Sequence, residues 1–377
     1  MNFDLTEERR MLQDGLRRLL RERGGPAARA EAGASDRGFE PKLWAGLAEM
    51  GVIGALFAEE DGWFGGTGFE LAVVFEEMGR AGAVDPLLDT GVLGGGLIAA
   101  LGGGDARPLL NAVIGGGVQL ALAHGEPASR YDLARVETRA VRDGAGYRLE
   151  GRKAVVVNGG AADHLLVSAR SGGGAADRGG ISLFLVPRGS DGLGLRDYPL
   201  ASGGRAAEVA LEDVALPASA LLGREGEACD AIELAHARGT AAICAEALGL
   251  MEAIRELTTG YLKTRRQFGQ PIGSFQAIQH RMADLLIEIE QARSAVINLD
   301  GHLEQPRAIR ERHVSAAKNL IGLAAKLVAE ESIQMHGGIG MTMEYELGHL
   351  VRRLVMVDHR FGDTDHHLER FIALAAE

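Results

Sequence analysis

The 377-residue chain predicts an α+β protein, mostly α: an N-terminal helical domain, a middle antiparallel β domain and a C-terminal four-helix bundle. Apolar residues keep a helical spacing up to about residue 119, alternate from about Gln119 to Leu222, and return to a sustained three-four spacing after about Gly226. No βαβ alternation interrupts the middle stretch, so a doubly wound dinucleotide fold is not expected there. The boundaries are placed at 1–119, 120–222 and 223–377, because a chain of this length exceeds one ordinary core.

Within the first segment, Thr6 is placed to cap a helix whose Leu12, Leu16, Leu19 and Leu20 share one side. Further helical pieces are expected around 42–50 and 70–80, and the turn-rich GVIGALFAEEDGWFGGTGFE between them puts Trp63 and Phe64 near a surface or cleft. In the middle segment, Val155 to Val157 and Leu165 to Val167 are strand-like runs separated by an Asn158-Gly159-Gly160 turn. ISLFLVP and AAEVALEDVALP add two strands, and SGGGAADRGG is expected to be a flexible hairpin loop. In the last segment, three seams repeat at intervals of three and four: Leu250 to Tyr261, Ile278 to Leu299, and Val314 to Val328. Such seams belong to antiparallel helix packing, here a four-helix bundle.

Composition narrows the function. With 46% hydrophobic and 24% charged residues the chain resembles a soluble globular protein. A net charge of -12 argues against nucleic-acid binding, which needs a concentrated basic face, and an anionic ligand would need a local basic pocket. Cys229 and Cys244 lack CxxC spacing and are expected as two buried thiols. MNFDLTEERRMLQ has no apolar leader core and no long uncharged apolar window follows, so no membrane association and a cytoplasmic location are expected.

The order α, β, α, together with YLKTRRQFGQPIGSFQAIQHRMADL and QMHGGIGMTMEYELGHLVRRL, resembles the acyl-CoA dehydrogenase family of flavoproteins over essentially the whole chain. The resemblance implies FAD held between the middle domain and the bundle, with part of each flavin site supplied by a neighbouring subunit. It also implies α,β-desaturation of an acyl-CoA thioester, in which a carboxylate takes the α-proton and flavin N5 takes the β-hydride. By this resemblance Arg265 reaches the FAD diphosphate and Phe268 packs on the cofactor. Gln334, Gly337 and Gly338 form the QxxGG turn, where missing side chains let backbone approach the dinucleotide, and Thr364 aligns with the threonine of YEGT. Arg238 is the candidate substrate-side cation, with pairing to Glu233 or Glu246 as the alternative.

The flavin-ring side departs from the family pattern. AHGEPASRYDLARVETRA follows TEPxxGSDxxxxxT in Glu126, Pro127, Asp132 and Thr138, but Gly125, Arg130 and Tyr131 replace its threonine, glycine and serine. KAVVVNGG carries Val155 and Val157 where KxWITNG has tryptophan and threonine, and valine cannot donate the hydrogen bond that the threonine gives the flavin. Both usual positions of the catalytic glutamate are empty, being Gly362 and Ala237. Asp363 is the nearest substitute base, and a turn or cap carboxylate is its alternative role. Consecutive residues rarely converge on one ion, so Asp363, Asp365, His366 and His367 predict no metal site.

Retained positions are those that a family subunit extends toward its neighbour's FAD, and the lost ones serve its own flavin ring and substrate. This division implies a heteromer, a heterotetramer with a homologous acyl-CoA dehydrogenase subunit, and FGDTDHHLERF is similar to the small subunit of bacterial pimeloyl-CoA dehydrogenase-type enzymes. Similar two-chain members act on dicarboxylic or sterol-side-chain thioesters. The alternatives are a self-sufficient homotetramer using Asp363, and a non-catalytic scaffold that binds no flavin.

Overall fold

Thr6 starts the first helix by accepting the Arg9 amide at 3.3 Å, and α1 (Glu7–Arg23) buries Leu16 and Leu20. The structure is a computed structural model and describes residues 5–58, 63, 65–103 and 106–375; Phe64 lies outside the described residues. Trp63 packs its ring over Gly54, where a Cβ would stand 2.7 Å from it. The chain divides into two compact units, each drawing on more than one stretch of sequence. One comprises Met1–Ala28, Gly66–Ala83 and Thr240–Glu377, and the other Arg29–Gly65 and Val84–Gly239.

The first unit is helical. It holds α1, α4 (Gly68–Ala81), most of α7 (Cys229–Thr264), α8 (Gln276–Asp300), α9 (Arg307–His336), α10 (Glu346–Met356) and α11 (Thr364–Leu374). Helix α1 is tied to α4 by the Arg17 guanidinium on buried Glu77, at 2.9 and 2.5 Å. Helices α4 and α7 meet through glycine: a Cβ on Gly79 would strike the Glu246 carbonyl, and one on Gly249 the Glu76 carbonyl. The expected seams are buried where they cross, with Leu285, Ile289, Ala292, Val296 and Leu299 on α8 and Val314, Ala317, Ile321, Ala324 and Val328 on α9. Helices α10 and α11 also pack on α9.

The second unit carries α2 (Pro26–Ala34) from Arg29 on, α3 (Pro41–Glu49), α5 (Gly96–Leu101), α6 (Arg107–Ile114), the first turns of α7 and an eight-stranded sheet. Its strands are β1 (Leu120–Ala123), β2 (Arg139–Asp143), β3 (Gly146–Val157), β4 (His164–Arg170), β5 (Ile181–Pro187), β6 (Leu193–Pro199), β7 (Arg205–Pro217) and β8 (Leu221–Leu222). They order as β6-β7-β3-β2-β4-β5-β8, with β1 parallel to β4 and most other pairs antiparallel. Leu149, Val156, Val167, Phe184, Val209 and Leu211 form its core, with Tyr147 edge-on to Phe184 at 5.0 Å.

Two local expectations change. The Asn158-Gly159-Gly160 turn does not fold β3 back on β4, because β2 lies between them in the sheet. Its Asn158 amide instead donates to the Leu120 carbonyl at 3.1 Å and to Thr90 Oγ1 at 3.2 Å, spending the side chain on a buried junction. The loop SGGGAADRGG is not loose. Buried Arg170 donates Nη1 to the carbonyls of Asp177 and Gly179 at 2.8 and 2.7 Å, and Nη2 to those of Ala134 and Ala175 at 2.7 and 3.0 Å. Glycine suits the path of this loop, but one guanidinium gathers its carbonyls.

Candidate functional site

In the helical unit, the two motifs of the C-terminal segment converge. Arg265 follows the end of α7, donates its amide to the Tyr261 carbonyl at 2.8 Å, and leaves its guanidinium exposed. A hairpin of β9 (Arg266–Gln267) and β10 (Gln270–Pro271) then presents Phe268 at its two-residue tip, 90% exposed and at φ 54°. A large apolar side chain held in left-handed backbone and in solvent is strained, and such strain clusters at binding sites. Helix α9 ends at His336, with Gln334 exposed in its last turn. Gly337 follows at φ 67°, ψ -148°, a conformation reserved for glycine, and a Cβ on Gly337 or Gly338 would meet nothing within 4 Å. The backbone at this turn is therefore open to a ligand.

The segment that the sequence aligns with YEGT is built differently. Gly362 is buried at φ 118°, and a Cβ there would stand 2.6 Å from His366 Cδ2 and from His367 Nε2. His367 itself is fixed by donating Nε2–H to the Phe361 carbonyl at 3.0 Å. Burial, then the Lys318 ammonium, pushes this imidazole down to about 3, so it is neutral. Lys318, buried in α9, donates to the Gly362 carbonyl at 2.7 Å and to that of Asp358 at 3.3 Å. Asp363 is the N-cap of α11, Oδ1 accepting the His366 amide at 2.8 Å. Thr364 opens that helix, donates its hydroxyl to Asp358 Oδ1 at 2.7 Å, and has its carbonyl bonded by Asn319 at 3.0 Å. Among the described residues no three His, Cys, Asp or Glu side chains are grouped as a metal site requires.

In the sheet-bearing unit, Glu126 accepts the amides of Glu137 and Thr138 at 2.7 and 3.0 Å and the Lys153 ammonium at 2.7 Å. Lys153 completes its three bonds with Ser168 Oγ at 3.0 Å and the His124 carbonyl at 3.2 Å. Burial pushes its ammonium down to about 8, against the pull of Glu126. This network shapes the loop that bears Gly125, Arg130 at φ 46° and Tyr131. Val155 sits at φ 51°, 56% exposed, beside an irregularity in β3, a costly conformation for a β-branched residue. At the start of α7, Ala237 is buried and Arg238 donates to the Leu56 carbonyl at 3.1 Å. Of the acids considered for it, Glu233 binds Arg178 and Glu246 binds Arg353.

Three family models match in the order of these elements: the N-terminal domain of acyl-CoA dehydrogenase over residues 6–107, the middle domain over 121–214 and the C-terminal domain over 230–373. The acyl-CoA dehydrogenase IpdE2 of Mycobacterium tuberculosis is 34% identical over 345 residues, 90% of this chain and 89% of its own. The chain belongs to the acyl-CoA dehydrogenase family. A probable acyl-CoA dehydrogenase of Bacillus subtilis, YngJ, is 29% identical over 99% of this chain and 98% of its own. Among solved structures, a variant of the steroid acyl-CoA dehydrogenase Tcur3481-Tcur3483 is 31% identical, with a TM-score of 0.87 over 98% of each chain. The ChsE4-ChsE5 complex of Mycobacterium tuberculosis is 25% identical, with a TM-score of 0.89 over 100% of this chain and 99% of the other.

The acyl-CoA dehydrogenase fold explains the motifs that sequence spacing could pick out, but several side chains that shape them carry no such signal. Lys318 and His367, which close around Gly362, look like one more helix lysine and one more terminal histidine. His336 and Tyr345 were inside the motif QMHGGIGMTMEYE, and the clue available was the histidine immediately before a glycine pair.

Proposed function

We propose that this chain is one subunit of a heteromeric acyl-CoA dehydrogenase, contributing diphosphate contacts to FAD while the base that removes the substrate's α-proton comes from a homologous chain. The observation that carries the reading is Gly362. Its left-handed backbone and the histidines against it leave no room for a carboxylate side chain, and the other usual position is the methyl of buried Ala237.

FAD fits the residues that remain. Gly337 presents open backbone in a glycine-only conformation, and exposed Arg265 offers a planar fork that suits phosphate oxygens. Bound there, FAD supplies the hydride acceptor for oxidation of a carbon–carbon bond. The chain's own part is to hold the diphosphate with Arg265 and the Gln334–Gly338 turn, and to offer the Phe268 ring as a wall. Arg238 would supply local positive charge for an anionic CoA thioester. Two relatives carry paired names, and one is a steroid enzyme; a thioester with a sterol side chain or a dicarboxylic acyl group is the substrate class proposed.

A self-sufficient homotetramer using Asp363 is disfavoured because that carboxylate is engaged as a helix cap. A flavin-free scaffold would leave the exposed Arg265 and the open Gly337 turn without a task. The test is to purify the chain alone and co-expressed with a homologue that carries the YEGT glutamate. Colourless, inactive protein alone and yellow, acyl-CoA-oxidising protein from the pair are expected. Yellow, active homomeric protein from this chain alone would defeat the proposal.

A further inference from the structure

Arg265 and the Gly337 turn are joined by an aromatic cluster built on the buried His336 ring with two half-buried tyrosines. Tyr261, one turn before Arg265, stacks on the His336 ring with centroids 4.4 Å apart and planes 23° from parallel. Tyr345 stands edge-on to Tyr261 at 6.4 Å and tilted against His336 at 5.3 Å. The tautomer follows from the partners. The Ser332 carbonyl can only accept, so His336 Nδ1 carries the proton and donates to it at 2.8 Å. Nε2 is then an acceptor in the neutral ring, and the Tyr345 hydroxyl donates to it at 3.3 Å. Only 4% of His336 is exposed, so the ring has little freedom to leave this arrangement.

The covalent neighbours give the cluster its reach. His336 is bonded to Gly337, whose amide is held by the Ile333 carbonyl. Tyr261 holds the Arg265 amide from one side, and the Arg265 carbonyl accepts the Ile272 amide at 2.9 Å on the other. We infer that His336, clasped by Tyr261 and Tyr345, is the positioning residue that sets the spacing between the Arg265 guanidinium and the Gly337–Gly338 turn, so that both bear on one diphosphate. This rests on the dinucleotide reading above and adds to it a residue that touches no ligand. Each half could bind a phosphate weakly, and the fixed spacing makes the pair selective for a diphosphate over a flavin ring alone.

The test uses the full chain in its assembly with the co-expressed homologue, stripped of flavin and titrated by flavin fluorescence with FAD and separately with riboflavin, which has the ring and no phosphate. His336→Ala is expected to weaken FAD about tenfold and riboflavin not at all. Arg265→Ala should weaken FAD to a similar degree, and the double variant should fall well short of the product of the two effects, the mark of groups that act as one unit. Equal losses for FAD and riboflavin, or effects that simply multiply, would mean that His336 only supports the fold. An Arg265→Ala variant with unchanged FAD affinity would instead sink the dinucleotide reading itself. Should His336→Ala fail to assemble, Tyr345→Phe removes only the hydroxyl donor. A loss of about threefold on FAD alone is then expected, and none at all overturns the inference.

Discussion

The resemblance in the sequence aligns Gly362 and Gly125 with positions that carry a functional side chain, yet the two glycines differ physically. A Cβ on Gly125 would meet only the Ala154 carbonyl at 3.5 Å, an ordinary contact, whereas one on Gly362 collides with two histidines from a φ of 118°. Gly362→Ala should therefore cost about 2–3 kcal/mol in chemical denaturation, from backbone strain added to overpacking. Gly125→Thr should stay within about 1 kcal/mol of the parent, since it adds neither. A Gly362→Ala protein as stable as the parent would remove the argument that this position is closed. His367 adds a pH dependence. Its folded pKa, about 3, lies below the ordinary 6.5, so the unfolded chain binds the extra proton. The stability it contributes is present above pH 6.5 and drains away as pH falls toward 3. His367→Gln should flatten the stability–pH curve in that window, and an unchanged slope would show that other groups carry it.

Elements were legible where one face is apolar and the spacing regular. The α9 seam, the α8 seam from Leu285 on and the strands at 181–187 and 205–217 were marked by residues that are largely buried, while Ile278 and Met282 at the start of α8 are only half-buried. The partners of a strand were not marked, since nothing in VVVNGG announces that Asn158 will serve a junction with Thr90 instead of a hairpin. Charged residues mislead in the same way, since Arg170 reads as the last residue of a strand and acts as the organiser of a loop. Arg170→Lys keeps the charge and loses the fork that reaches four carbonyls. It should destabilise the protein by about 1–2 kcal/mol, since the carbonyls it releases lie on half-buried or exposed residues that water can partly re-satisfy, and speed amide exchange at Ser171 and Gly180. Exchange rates equal to the parent's would restore the flexible-loop expectation. Asp300, at the end of α8, presents the opposite case. It is fully buried, its Oδ1 has no hydrogen-bond partner, and burial followed by Glu304 and Glu76 raises its pKa well above the ordinary carboxylate value. A raised carboxyl stabilises the fold at low pH and costs stability as pH climbs through the folded pKa. Asp300→Asn should accordingly be more stable than the parent at pH 7, by about 1–3 kcal/mol, with the gain vanishing near pH 4. A loss at pH 7 would reveal a partner for the charged form.

For the whole molecule, the sequence displayed the segments, the family and the open glycine turn proposed for the dinucleotide, because glycine pairs, an arginine in TRRQFG and long seams are local patterns. It could not display how Lys318, His367 and Gly362 come together, since they are brought into contact only by the packing of α11 on α9. Nor could it separate apolar residues that fill the core from those left outside it. Leu286 and Ile287 of α8 are 42% and 57% exposed, and they line a groove of about 720 Å³ with Leu320 of α9. Leu368 and Ile372, four residues apart on α11, are 48% and 62% exposed. Contiguous exposed apolar surface on ordered helices is unfavourable in water and marks an association surface. The full chain should therefore sediment as an assembly rather than at 39.8 kDa, whether by itself or with its homologue. Ile287→Glu combined with Ile372→Glu places charge on exposed positions, so the fold has little to lose, while an interface would have to bury two unpaired carboxylates. The expected result is a shift toward monomer in sedimentation velocity with the helical circular dichroism unchanged. An assembly that survives both substitutions would locate the contact elsewhere on the chain.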